Sequence, residues 1–140
     1  MAESSFEKIL SERGELIYTN VGDSMYPLIQ PHDLLVIQKS DGGLKRLDVP
    51  LYKRDNGQYV LHRIVKKRGG EYAMCGDNRV DLEYGITDRH ILGVLTAIIR
   101  NGETIPIDTV KYKLYAHLRC DFIFFRRIIK RAKHHFQINK

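Results

Sequence analysis

The sequence predicts a mainly β fold, a coiled sheet or partial barrel, with a short N-terminal helix and a basic amphipathic C-terminal helix. Two observations predict the sheet: apolar, β-branched runs of strand length recur, and turns rich in Gly and Asn separate them. The third observation is the spacing of apolar residues near the C terminus, which is helical. We therefore divide the 140 residues into a β domain, residues 1–110, and a helical tail, residues 111–140.

The first forty residues predict one helix and two strands. Ser4 and Glu7 have the spacing of a capping box, so a helix is expected from there to Gly14. Its apolar residues fall on one side: Phe6, Ile9 and Leu10. Residues 16–18 are expected to form the first strand, and residues 33–38 are a short apolar run typical of a buried strand.

The middle of the chain predicts a hairpin and two further strands. Residues 55–57 contain an Asn-Gly pair, a strong hairpin signal, between residues 51–53 and residues 59–65. Residues 71–75 and 91–100 are predicted as the next strands, because each follows or precedes a glycine turn and is rich in apolar residues. The domain therefore contains enough short strands to coil into a sheet around one core.

Three short motifs carry a hydroxyl, an imidazole and a carboxylate, in that order. Ser24 lies in Gly-Asp-Ser-Met-Tyr-Pro, His62 follows thirty-eight residues later in Leu-His-Arg-Ile-Val, and Asp77 lies in Gly-Asp-Asn-Arg. A serine hydroxyl needs a neighbouring base to become a nucleophile, and the base needs a partner that orients it. Each motif alone fits an ordinary turn or strand. Together they favour a site for nucleophilic acyl transfer.

Residues 22–27 resemble the serine box of type I signal peptidases, a group of the S24/S26 peptidases that shares its fold with LexA-type self-cleaving repressors. The box typically has Gly two residues before the nucleophile, Met after it and Pro three residues after it, as here. Residues 61–65 are similar to the second box, with His62 where the lysine type has its base, which is the pattern of the ER-type and archaeal branch. Residues 76–81 resemble the acidic box. We call these segments the serine box, the histidine box and the acidic box.

The resemblance covers roughly residues 16–98 and implies a serine endopeptidase that cleaves after small residues in a leader or signal-like peptide. Ser24 would be the nucleophile and His62 the general base, oriented by either Asp77 or Asp81. Met25 and Pro27 would either pack and shape the loop or, through its bulk, help form the substrate pockets, and the partner would be a peptide or protein substrate. With an ordinary histidine pKa near 6.5, hydrolysis would rise through the neutral range. Asn78 and Arg79 are expected to hold the loop by hydrogen bonds and ion pairing.

Two other functions remain as alternatives. A self-processing regulatory protein of the LexA type would cut its own chain, but the sequence has no Ala-Gly dipeptide and only about twenty residues before Ser24. A non-catalytic module would keep the fold and bind peptides or lipid. The presence of all three catalytic residue types favours the enzyme over both.

The two cysteines limit the metal sites that the chain could form. The lack of a long apolar run limits its expected location in the cell. Cys75 and Cys120 form no disulfide framework and lack zinc-site spacing, so we expect no metal or cofactor, and we interpret Cys75 as a small buried residue at a strand end. Residues 1–13 carry five charges, unlike a signal peptide, and no apolar run reaches the length of about eighteen residues that spans a membrane. The expected location is therefore cytoplasmic, or peripheral on the cytoplasmic membrane face.

The tail, residues 111–140, carries nine Lys or Arg and one acid, Asp121, whereas the whole chain has a net charge of +6. The basic character therefore belongs to the tail. Apolar residues recur there with helical spacing: Leu118, Phe122, Phe125, Ile129, Ala132 and Phe136. A basic amphipathic helix is typical of peripheral membrane contact. Packing on the β domain is an equal alternative, and nucleic-acid binding is less favoured because no helix-turn-helix pattern accompanies it.

Overall fold

The computed structural model describes residues 5–138, in which two antiparallel sheets lie between an N-terminal helix and two C-terminal helices. The elements in chain order are α1 (Ser5–Arg13), β1 (Glu15–Thr19), β2 (Leu34–Lys39), β3 (Pro50–Lys53), β4 (Tyr59–Leu61), β5 (Arg63–Arg68), β6 (Glu71–Cys75), β7 (Glu83–Thr87), a 3-10 turn (Asp88–His90), β8 (Ile91–Arg100), β9 (Glu103–Pro106), α2 (Val110–Asp121) and α3 (Ile123–Ile138). More residues lie in strands than in helices, so the predicted mainly β fold is confirmed.

The larger sheet is curled into a half-barrel. Its strand order is β1-β2-β8-β3-β4, with β9 also paired to β8. The ring of Phe6 from α1 lies 4.9 Å from the ring of Tyr18 on β1 and 4.8 Å from that of Tyr59 on β4, centroid to centroid. The first and last strands of the sheet therefore approach the same side chain. Inside the curl lies the main core: Leu10, Leu16, Leu35, Ile37, Leu51, Leu95 and Ile98.

The smaller sheet consists of β5-β6-β7, and a single residue, His62, separates its first strand from the end of β4. Leu61 pairs with Leu51 in the larger sheet, whereas Arg63 pairs with Cys75 in the smaller one. The prediction of one continuous strand over residues 59–65 with His62 inside it is therefore wrong. The sequence contains no turn residue at this point, but the backbone hydrogen bonds change partners at His62.

Most of the other elements agree with their predictions. The N-terminal helix ends at Gly14, whose φ of +74° suits glycine and whose N–H donates to the Leu10 carbonyl oxygen. Ser4 lies outside the described residues, and the Glu7 carboxylate binds Lys53 and Tyr59. Ser24 lies on the loop that follows the first strand, and Asp77 follows the end of β6, as expected. Strands β7 and β9 were not predicted.

The C-terminal segment forms two helices that meet at Phe122, where a single helix was predicted. The inward side of α2 carries Ala116 and Cys120, both buried. The predicted apolar face does not pack on the β domain, because Leu118 is 54% exposed and Phe125 is 62% exposed. The side chain of Phe136 lies outside the described part of the chain. Within residues 5–138, no helix combines the length and the apolar character needed to cross a membrane.

Replacing Gly93 by alanine tests the tight contact between β8 and β2. A Cβ at Gly93 would lie 2.5 Å from Cγ2 of Ile37 and 2.7 Å from the carbonyl oxygen of Gln38. We expect Gly93→Ala to lower the free energy of unfolding by about 1–3 kcal/mol in urea titrations, since an overpacked core must shift. The control Thr104→Ala, at an exposed position of β9, should change it by less than about 0.5 kcal/mol. Equal stability of the two variants would contradict the packing described for β8.

Candidate active site

The serine box forms the loop between β1 and β2 and is fixed by its own turns. The Tyr26 N–H donates to the Asp23 carbonyl oxygen (3.1 Å), and the Ile29 N–H donates to that of Met25 (3.0 Å). The Met25 side chain is only 3% exposed and belongs to the main core. This anchor leaves the neighbouring Ser24 half-buried at the surface of the loop.

Ser24 and His62 line the same cleft, which has a volume of about 370 Å³. Gly76 lies between them: a Cβ at this position would be 2.5 Å from the Ser24 carbonyl oxygen and 3.2 Å from Nε2 of His62. A side chain at Gly76 would therefore collide with the Ser24 backbone and press tightly against the imidazole. Among the described residues, the Ser24 hydroxyl and His62 share this cleft but are not joined by a hydrogen bond.

Three side chains that the motifs did not indicate surround His62. The Tyr52 ring meets the imidazole edge-to-face with 6.5 Å between centroids, and the Tyr52 hydroxyl donates to Oε1 of Glu83 (2.7 Å). Arg54 donates to both oxygens of the same carboxylate, at 2.8 and 2.9 Å. Burial acts to raise the pKa of Glu83, but the hydrogen bonds from Arg54 and Tyr52 hold it below its usual value.

The environment lowers the pKa of His62 to about 4. The main cause is burial, which disfavours the charged imidazolium, and the next is the positive charge of Arg54; the negative charge of Glu83 opposes them. The expectation of an ordinary value near 6.5 is therefore wrong. With this pKa the imidazole stays neutral throughout the physiological range and is able to accept a proton, although as a weaker base.

Asp77 is 2% exposed and forms a bidentate ion pair with Arg63, with both N···O distances at 2.8 Å. Its Oδ2 also accepts a hydrogen bond from the hydroxyl of Tyr115 on α2 (2.8 Å). No hydrogen bond between Asp77 and His62 is present in residues 5–138. Arg63 directly follows His62 in the chain, so Asp77 is connected to the imidazole through the backbone of β5. A direct orienting role stays a prediction.

Asp81, the alternative acid, is an exposed residue. Its side chain is 84% exposed, and Oδ2 lies 3.6 Å from Nζ of Lys130 on α3. In the described part of the chain it makes no hydrogen bond with His62. The structure thus connects Asp81 to the C-terminal helix, whereas Asp77 lies in the interior between the boxes.

The acidic box holds the serine box in place. The Asn78 N–H donates to the Ser24 carbonyl oxygen (2.8 Å), and its side-chain amide donates to that of Asp23 (3.1 Å). Arg79 forms a 2.7 Å ion pair with the Asp23 carboxylate. The prediction that Asn78 and Arg79 hold the loop is confirmed. Of the two predicted substrate-pocket residues, Met25 lines the cleft, whereas Pro27 is not among the residues lining it.

The sequence contained only weak signals for Tyr52, Arg54 and Glu83. Tyr52 and Arg54 precede the Asn-Gly turn, and Glu83 begins a strand with no clear alternation, so nothing indicated that they meet. Both cysteines are buried thiols, as expected for Cys75, and burial raises the pKa of the Cys120 thiol to about 11. Residues 5–138 contain no cluster of three or more His, Cys, Asp or Glu side chains suited to a metal ion.

No protein-family model matches the chain, and no curated protein matches it significantly in sequence. The interpretation of the cleft therefore depends on its own geometry and on the motifs.

Replacing Asp77 or Asp81 by asparagine should change the stability of the protein by very different amounts. Asp77→Asn removes the charge partner of a buried guanidinium, so we expect the free energy of unfolding to fall by about 3–5 kcal/mol. Asp81→Asn changes an exposed side chain, and a change below about 0.5 kcal/mol is expected. Chemical denaturation followed by circular dichroism measures both. If Asp77→Asn were as stable as Asp81→Asn, the buried ion pair would not contribute as described.

Proposed function

We propose that this protein is a serine endopeptidase of the signal peptidase I type, with Ser24 as nucleophile and His62 as general base. The observation that carries the proposal is that these two residues, distant in sequence, line one cleft on either side of Gly76. The substrate class is a leader or signal-like peptide cut after small residues, as the motifs imply. Asp77 acts as a positioning residue through Arg63.

The chemistry uses only groups of this chain and water. The Ser24 oxygen attacks the peptide carbonyl carbon while His62 takes the hydroxyl proton, and the imidazolium then donates that proton to the departing amine. Water then attacks the resulting acyl ester while His62 takes a proton from it, and the imidazolium returns this proton to the Ser24 oxygen as the acyl–oxygen bond breaks. The backbone N–H of Ser24 is the first candidate to stabilise the oxyanion, because preorganised donors at that position carry much of the rate enhancement.

The borders of the cleft favour an extended peptide as substrate. Tyr18, on β1, and Tyr59, on β4, both line the cleft, and within the described residues each of these strands pairs with only one neighbour. A strand edge presents unpaired backbone N–H and C=O groups, to which an extended peptide adds as a further strand. A peptide lying between β1 and β4 would pass both Ser24 and His62.

A non-catalytic peptide-binding module is the second candidate. It is favoured by one observation, the lack of a hydrogen bond between Ser24 and His62 in the described structure. In catalytic sites of this kind such contacts often tighten only when substrate binds. Both candidates use the same cleft, so the decisive difference is covalent chemistry at Ser24.

Cleavage of a signal-like peptide by the purified chain tests the proposal. We expect product in mass spectra for the wild type, and a loss of at least about 10³-fold for Ser24→Ala, because the nucleophile is removed. Ser11→Ala, at an exposed serine of α1, is the matched control and should retain full activity. A serine-directed covalent probe should label wild type and not Ser24→Ala. Peptide binding without cleavage or labelling would instead support the binding module.

The pH dependence of kcat/KM tests the environment of His62. The base must be neutral, so activity should rise with pH through the pKa of about 4 and be constant at neutral pH. Arg54→Gln removes a positive charge that lowers this pKa, and its rising limb should move to higher pH. A wild-type limb near 6.5 would show that His62 is more hydrated than described. Intact folding across the range is checked by circular dichroism.

A further inference from the structure

We propose that the outer face of α2 and α3 is a site of attachment to an anionic lipid membrane. This outer stripe consists of six apolar residues: Leu114, Leu118, Phe122, Phe125, Ile128 and Ile129. Each is 49% exposed or more, and Phe125 reaches 62%. The inference is independent of the proposed peptidase activity, since none of these residues lines the cleft.

The outer stripe is continuous across the break between the helices. Leu114, Leu118 and Phe122 follow each other at intervals of four residues, which places them on one side of α2. The ring of Phe122 contacts that of Phe125 edge-to-face, with 6.4 Å between centroids. The stripe then continues along α3. Two helices thus present one apolar surface, larger than scattered exposed side chains produce.

The polar side of α3, and not its apolar side, faces the β domain. Lys130 pairs with Asp81, and Ile123 at the start of the helix packs against the cluster that contains Cys120. At about 100° per residue, Phe125 and Ile129 lie on the side opposite to Ile123. An amphipathic helix normally turns its apolar side to the core. The arrangement seen here leaves that side for a partner outside the molecule.

Charge identifies the partner as an anionic surface. Val110–Ile138 contains eight Lys or Arg and a single acid, Asp121, whose carboxylate already forms a 2.7 Å ion pair with Arg46. Helical spacing places Arg131 at one border of the apolar side of α3 and Lys133 at the other, whereas Arg127 lies on the same side as Ile123. A second copy of the chain would bring two such cationic segments together. A membrane with anionic lipids accepts both the apolar stripe and the bordering cations.

Vesicle flotation of the full-length protein tests this surface. With vesicles of phosphatidylcholine and phosphatidylglycerol at low salt we expect the protein to float, and with phosphatidylcholine alone to float far less. The double variant Phe125→Ser/Ile129→Ser should bind about a hundredfold more weakly, because it lacks two apolar side chains that the membrane would bury. Tyr84→Ser is the matched control, since Tyr84 is 58% exposed on β7 and lies outside the stripe; it should bind like wild type.

Several outcomes would overturn the proposal. One is a wild-type protein that stays with the unbound fraction at low salt. Another is equal binding by wild type and the double variant, which would mean that the cations alone are attracted. Light scattering that shows a dimer lost in the double variant, without lipid binding, would assign the stripe to self-association. Equal thermal unfolding of all variants excludes misfolding. Flotation of Ser24→Ala like wild type would show that attachment does not depend on catalysis.

Discussion

The buried ion pair between Arg63 and Asp77 is the interaction on which the candidate site depends. The Arg63 guanidinium also donates to the Leu47 carbonyl oxygen. On α2, Tyr115 donates to the Asp77 side chain and Arg119 donates to the Asp77 backbone carbonyl oxygen. One interior contact therefore joins β5, the acidic box and α2. A pair with this little exposure persists only when additional hydrogen bonds compensate for lost hydration. Its neighbours in sequence, His62 and Gly76, are positioned as a consequence.

The roles within the three boxes differ from those that their residue types indicate. A serine, a histidine and an aspartate in order indicate a chain of hydrogen bonds, yet the aspartate is engaged by Arg63. The acidic box acts instead through backbone contacts: Asn78 binds the Ser24 carbonyl oxygen. The low pKa of His62 comes first from burial and then from Arg54, which follows β3, and is opposed by Glu83 on β7. Positioning and pKa control are thus assigned to different groups.

The sequence predicted correctly those features that depend only on residues adjacent in the chain. The turn at Gly14 and the strand Ile91–Arg100 follow from backbone preference and apolar content, and both were predicted correctly. The change of sheet at His62 was not, because side-chain alternation is the same whichever strand supplies the hydrogen bonds. The low pKa of His62 depends on burial and on the distant Arg54, which no local pattern contains. The helix break at Phe122 has neither Pro nor Gly to signal it.

The crossing between the sheets at His62 constrains how the chain tolerates changes in length. Leu61 is in register with Leu51 on one side, and Arg63 with Cys75 on the other. Inserting or deleting one residue next to His62 would reverse the side on which every following side chain of a strand lies. The glycine pair at the β5–β6 turn, Gly69 and Gly70, carries no such double constraint. Single-residue insertions in this chain should therefore be tolerated better at the turns than at the crossing.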